Sequence, residues 1–412
     1  MKYLHIYLEN GVLLFCICLI FNSCNKSQNS NKAAIPFIEN SSNKFQNEIL
    51  KIDLKKSYPP KEIDLKNIAD IEFIPLETKA DFLCDEKGRV FAVTDDKIFF
   101  HNWKEGTVFI FSRKGKALTK FNRKGGGGEE YIGISQAVLD HENKELYIND
   151  MWKKKIFVYD FVGKYKRSFR HHPGSLYSKI ASFNDSTMIC YDRGEESRAG
   201  KASPFIIVSK KTGKKIRDII IPFDKRLEVE IIKKSEDIWI GESTPVFPII
   251  KTEDGFLLNE VSSDTLYKLK PNYELQAVVT RTPPVQTMDP TVFLLSDIET
   301  NRYLFVDVVT KKYDWKTNIG FPRVHLGYDY KDCKVYEYKI CYESPDQIID
   351  FNLFPKIERE CYINKNTFVG TIQSYLLKKM KDNDELQGQL KQIAQNIKED
   401  DNPVLMLIKF KE

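Results

Sequence analysis

The chain has 412 residues, 42% of them hydrophobic and 29% charged, the balance of a soluble globular protein with enough material for a large core. Its 63 basic and 58 acidic side chains leave a formal net charge of +5. That near-balance argues against nucleic acid or another polyanion as partner.

The N-terminus reads as an address. Lys2 precedes an uninterrupted apolar run from Val12 to Phe21, short for a membrane span and of the right length for a signal-peptide core. Ser23 then sits directly before Cys24, and a small residue before a cysteine at that point resembles a bacterial lipobox. Residues 1–23 are therefore expected to be a lipoprotein signal peptide, with Cys24 acylated. Residues 24–48 are rich in Asn, Ser and Lys and read as a flexible tether. The remaining cysteines, Cys84, Cys190, Cys333, Cys341 and Cys361, have no metal-type spacing. One disulfide among the last three is open, and buried thiols are the preferred reading for the others.

From Lys97 onward the chain repeats itself. An apolar run (97–102), a polar loop, a second run (107–112), a Gly-Lys turn at Gly115 and a third run form one unit. The same order recurs at 145–150, 155–160 and Gly163, and again at 187–192, 205–209 and Gly213. A weaker copy covers 255–260 and 265–269. The turn glycines are 48 and 50 residues apart. Strand-like runs ahead of each unit, such as 134–139, supply a fourth strand. Four short strands at this period are the mark of propeller blades, sheets that bury both faces by stacking around an axis. Residues 49–412 hold six or seven such units.

Two other stretches matter. Gly125–Gly128 could be taken for a phosphate cradle, but no Lys-Ser/Thr follows, and a tight inter-blade connection with positive φ values is the preferred reading. Near the C-terminus, Leu386, Leu390, Ile393 and Ile397 repeat at helical spacing, with Asp384 as N-cap and Gln387 at the capping-box position. This predicts one short helix over about 384–398. The last strand, 404–408, is expected to close the ring by pairing with Ile49–Leu54.

Four segments carry a family resemblance: IADIEFIPLET at 68–78, FNRKGGGGEEY at 121–131, SDTLY at 263–267 and DDNPVL at 400–405. They resemble, in order and over nearly the whole mature chain, the six-bladed β-propeller lipoproteins of Bacteroides-type bacteria. The blades also resemble NHL repeats. That family usually carries G-Q-G-P-G-E-Y, from which Gly126, Gly128 and Glu129 depart. The resemblance implies an all-β, six-bladed propeller with a short C-terminal helix and an exported location, and no established catalytic activity.

Propeller ligands sit at a mouth of the ring, a fold-level analogy. Alignment of the repeats puts Asn102, Asp150, Asp192 and Glu260 at the ends of second strands, with Trp103, Trp152 and Arg193 in the loops that follow. These side chains could bind a small ligand, glycan, peptide or protein partner: the tryptophans by stacking, the arginine by forking onto a carboxylate. The competing reading has each carboxylate capping its own loop, each tryptophan packed between loops, and Arg193 paired with Glu195 or Glu196. No cofactor, metal ligand set or catalytic residue is assigned. A non-catalytic, envelope-anchored binding or scaffold protein is the preferred function. A metal-dependent hydrolase or lactonase using Asp150, Asp192 and Glu260 is the alternative. The absence of an acidic run after Cys24 favours an outer-membrane anchor facing the periplasm.

If Cys24 is the lipid site, Cys24→Ala should lose metabolic acyl labelling and leave the membrane fraction. A variant that keeps its label would contradict the assignment.

Overall fold

In the computed structural model of the chain, residues 49–234, 239–341, 356–359, 361–386 and 388–411 are described; the expected signal peptide and tether lie outside them. Six antiparallel sheets follow one another along the chain. Blade 1 consists of Arg89–Val93, Lys97–His101, Thr107–Ser112 and Ala117–Asn122. Blade 2 consists of Gln136–Asp140, Glu145–Asp150, Lys155–Tyr159 and Tyr165–Arg170. Blade 3 is built from Tyr177–Ser182, Thr187–Asp192, Phe205–Ser209 and Lys215–Ile219. The repeat units read from the sequence fall on these strands within a residue or two. The turn glycines Gly115, Gly163 and Gly213 have φ of +79°, +78° and +71°, the left-handed turn that a Cβ disfavours.

Blade 4 comprises Ile249–Thr252, Gly255–Leu258, Thr265–Leu269 and Leu275–Thr282, and blade 5 comprises Val292–Glu299, Tyr303–Thr310, Arg323–Asp329 and Lys334–Cys341. Blade 6 takes three strands from the C-terminal region, Lys356–Ile357, Thr367–Ile372 and Val404–Phe410, and its outer strand, Ala69–Pro75, from the N-terminal region.

Successive residues of a strand point to opposite faces of its sheet. Here both faces are apolar. Leu146 and Ile148 pack toward blade 1, while Tyr147 between them packs toward blade 3. Six interfaces of this kind complete the circuit, and the last joins Val369, Leu405 and Leu407 of blade 6 to Ile98, Phe100 and Phe109 of blade 1. The result is a closed six-bladed β-propeller.

The ring closes differently from expectation. Val404–Phe410 pairs with Ala69–Pro75, from Ala69↔Phe410 to Pro75↔Val404. Ile49–Leu54 does not reach it. Leu50–Asp53 instead adds a parallel fifth strand outside blade 4, and Pro60–Asp64 does the same outside blade 5. The reason is the length of the ladder. Ala69–Pro75 and Val404–Phe410 are both seven residues long, whereas Leu50–Asp53 has four. The segment from Leu50 to Pro75 thus straps the outer edges of three consecutive blades before the chain enters blade 1.

The C-terminal region holds two helices, Ser374–Asp382 and Gly388–Asn396, between the second and third strands of blade 6. Leu377, Leu386, Leu390 and Ala394 bury themselves on the blade 5–6 core. The first helix was not anticipated. Asp384 lies in the turn between them with φ of +53°, so it is not the expected N-cap; its carboxylate accepts from Lys391 Nζ at 2.8 Å. Cys84, Cys190, Cys333 and Cys361 are free thiols.

Two buried histidines set a pH dependence. His171 accepts from the Tyr177 N–H at Nδ1 (3.2 Å) and lies 2.9 Å from Asn149 Oδ1 through Nε2. A second proton on Nδ1 would face that N–H. Burial lowers the pKa of His171 to about 3, with the charge of Lys154 adding to the effect. Burial likewise lowers His101 to about 3, reinforced by Arg89 and Lys179. The folded state therefore keeps both rings neutral, while the unfolded chain protonates them below 6.5. Stability is full above that value and falls as the pH drops toward 3, by up to about 1.4 kcal/mol per unit for each ring. Unfolding free energy should decline between about pH 6.5 and 5, and the decline should be shallower in the double variant His101→Gln/His171→Gln. Equal slopes for the two proteins in denaturant titrations would contradict this account.

Candidate functional site

The ring has two faces. One carries the loops between second and third strands together with the blade-to-blade connections, and all the residues singled out in the sequence lie on it. Asp150 is fully buried. Its Oδ1 accepts from the N–H groups of Trp152 and Lys153, both at 2.9 Å, and its Oδ2 from Ile132 N at 2.6 Å. Asp192 Oδ1 accepts from Gly194 N (2.8 Å) and Leu176 N (2.7 Å), and its Oδ2 from the Ser175 hydroxyl (2.8 Å). Asn102 Oδ1 accepts from Asp85 N, and its Nδ2 donates to Leu83 O. Glu260 accepts from Ser262 N and Oγ through Oε1, receives the Tyr191 hydroxyl on Oε2, and lies 3.4 Å from Arg226 Nε.

These four positions make one repeated clasp. Asp150, Asp192 and Glu260 each cap their own loop and tie it to a connection or residue from the neighbouring blade, while the Asn102 side chain holds the connection before blade 1. Charge-assisted bonds of this kind contribute about 1.5–3 kcal/mol each when buried. Their acceptor oxygens face protein donors.

The tryptophans face the other way. Trp103 is 41% exposed and Trp152 52% exposed, and their ring centroids are 6.3 Å apart at a 45° tilt. They come from equivalent loops of blades 1 and 2. Trp152 rests on Gly133, where a Cβ would stand 2.8 Å from its ring. Exposed Leu83 and Ile132, from the two connections that the clasps hold, extend the same apolar surface.

Arg193 is held apart from the tryptophan pair. Its Nη2 donates to Glu228 Oε2 at 2.6 Å and Glu230 Oε1 at 2.8 Å, not to Glu195 or Glu196. Arg198 joins the same group through Glu228. The partners come from the long connection between blades 3 and 4, which local spacing could not bring forward.

The glycine run is not a phosphate cradle. Lys153 Nζ donates to two of its carbonyls, those of Gly125 and Gly127, and to the carbonyl of Glu130. None of the four glycines has positive φ, contrary to expectation. What Gly125 needs is space, because a Cβ there would stand 2.1 Å from the Glu130 carboxylate.

The opposite face holds a feature the sequence did not announce. A cavity of about 900 Å³ is lined by the inner strands of blades 1 to 4 and by the loop 361–367 of blade 6. Trp103, Trp152 and Arg193 do not line it. Lys251, on the inner strand Ile249–Thr252, is one of the charged residues on its lining.

A domain family of unknown function, DUF4934, matches residues 49–409. None of the curated proteins compared matches the sequence. Among solved structures, a Bacteroides fragilis protein described as exported is similar at a TM-score of 0.62 and 15% identity, over 89% of this chain and all of that one. A DUF4221 family member from Bacteroides vulgatus gives a TM-score of 0.42 and 9% identity, over 84% of this chain and 97% of its own. At 15% identity the first likeness speaks for the fold alone, and the second adds nothing to it. The chain belongs to the DUF4934 family.

Proposed function

We propose that this protein is a non-catalytic, envelope-anchored binding propeller that presents Trp103 and Trp152 to a ring-bearing ligand, a glycan in the first place. The observation that carries the reading is the exposure of two large aromatic rings side by side on loops that are otherwise tightly fastened. A ring held this rigidly loses little entropy on binding, and its face suits the C–H face of a sugar. The clasps at Asp150, Asp192 and Glu260 support a binding role over a metal-dependent hydrolase, because their oxygens are occupied by protein donors. The apolar run at 12–21, Cys24 and the likeness to an exported Bacteroides fragilis protein support an anchored, extracytoplasmic place for it. On this reading the lipid holds the protein to the periplasmic side of the outer membrane.

Affinity electrophoresis through gels containing dextran, xylan, pectin or soluble peptidoglycan tests the proposal. At least one of these polymers should retard the wild type. Trp152→Ala and Trp103→Ala should each weaken that retardation about tenfold or more. Their melting temperatures should stay close to that of the wild type. Loss of binding in step with loss of stability would make the tryptophans structural, and a wild type that migrates unretarded in every gel would overturn the glycan reading. Bound stoichiometric divalent metal in the purified protein would favour the hydrolase.

A further inference from the structure

The cavity on the face away from the tryptophans contains an unbalanced charge. Two of its cations are matched: Lys210 lies 2.5 Å from Asp140, both buried, and Arg113 lies 2.7 Å from Glu72. Lys251 is not matched. It stands on the inner strand Ile249–Thr252, lines the cavity, and no carboxylate among the described residues is paired with it. Its closest marked contact is the ring of Tyr362, 5.3 Å from Nζ, contributed by blade 6 on the other side of blade 5. The side chain is exposed to the cavity; partial desolvation there lowers the pKa of the ammonium, and the charge of Lys210 lowers it further.

Asp70, also on the lining, is exposed and lies 3.5 Å from Lys411. Asp95, Glu142 and Asp185 occupy exposed loop tips at the rim, where water solvates them. Lys409 is exposed between blades 6 and 1, on the outer arm of the cavity. Ala137, Ile180 and Ile249, from three successive inner strands, supply apolar wall among the polar groups that line the cavity. With no carboxylate among the described residues paired with it, the exposed Lys251 ammonium is open to a charge-assisted contact from an incoming anion. Volume and lining are those of a small-molecule site.

We propose that this cavity is a second ligand site, which takes a small organic anion, a carboxylate or sulfonate carried on an apolar body, with Lys251 as its counter-ion and Tyr362 as a wall. The site stands independently of the tryptophan surface, on the other face of the ring.

The dye 8-anilinonaphthalene-1-sulfonate is the probe, with octanoate as the competing carboxylate. The folded wild type should enhance dye fluorescence at one saturable site, and octanoate should displace it. Lys251→Glu should weaken dye binding at least tenfold and Lys251→Gln by a smaller factor, whereas Lys251→Arg should retain it. Circular dichroism confirms that each variant is folded, and Lys251→Gln gives the reading should the charge reversal disturb the strand. Trp103→Ala and Trp152→Ala should bind the dye as the wild type does, which separates this site from the proposed glycan surface. Unchanged affinity in folded Lys251→Glu, loss of dye binding in the tryptophan variants instead, or no saturable binding by the wild type would each overturn the proposal.

Discussion

Everything in this molecule depends on sheets that are apolar on both faces. A blade such as Lys155–Tyr159 with its neighbours cannot leave either face in water. Ile156, Phe157, Val158 and Tyr159 are all fully buried, and alternate ones face different blades. Burial of such side chains stabilises by roughly 1.5–3 kcal/mol each. An open stack would leave two such faces exposed at its ends, so the stack curves until its ends meet.

Closure then rests on one ladder. Val404–Phe410 would be an unpaired edge without Ala69–Pro75, and an exposed apolar edge invites association with other chains. The N-terminal segment does more than fill that edge. It runs outside blades 4 and 5 first, so that Ile52 joins the blade 4–5 core and Ile63 and Leu65 join the blade 5–6 core. Half the ring is thereby fastened from outside by 26 residues, Leu50 to Pro75. The loops are fastened separately, by the clasps at Asn102, Asp150, Asp192 and Glu260. The two tryptophans are thus mounted on a stiff support, and the cavity on the other face is lined by inner strands and loops together.

The blades were legible because local chemistry repeats: an apolar run, a polar loop, another run and a Gly-Lys turn recur with the same strand boundaries. The clasp was legible for the same reason, as an acid or amide at the end of the second strand in blades 1 to 4. What escaped was non-local. Nothing near Ile49–Leu54 says that it lies on blade 4 rather than on the last strand, because both candidate edges accept a short apolar run. Arg193 meets Glu228 and Glu230 from a connection about 35 residues away, not its sequence neighbours. The helix Ser374–Asp382 buries only one stripe, with Leu377 at its centre, and its lysines obscure the pattern. The cavity arises from four inner strands and a loop that only the closed ring brings together.

Hydrogen exchange followed by mass spectrometry measures the closure directly. If the ring depends on the ladder between the two termini, the amides of Ala69–Pro75 and Val404–Phe410 exchange together, as slowly as the core strands of blades 2 and 3, and only through global unfolding. Early, independent exchange of either segment, with the rest of the ring still protected, would contradict the account.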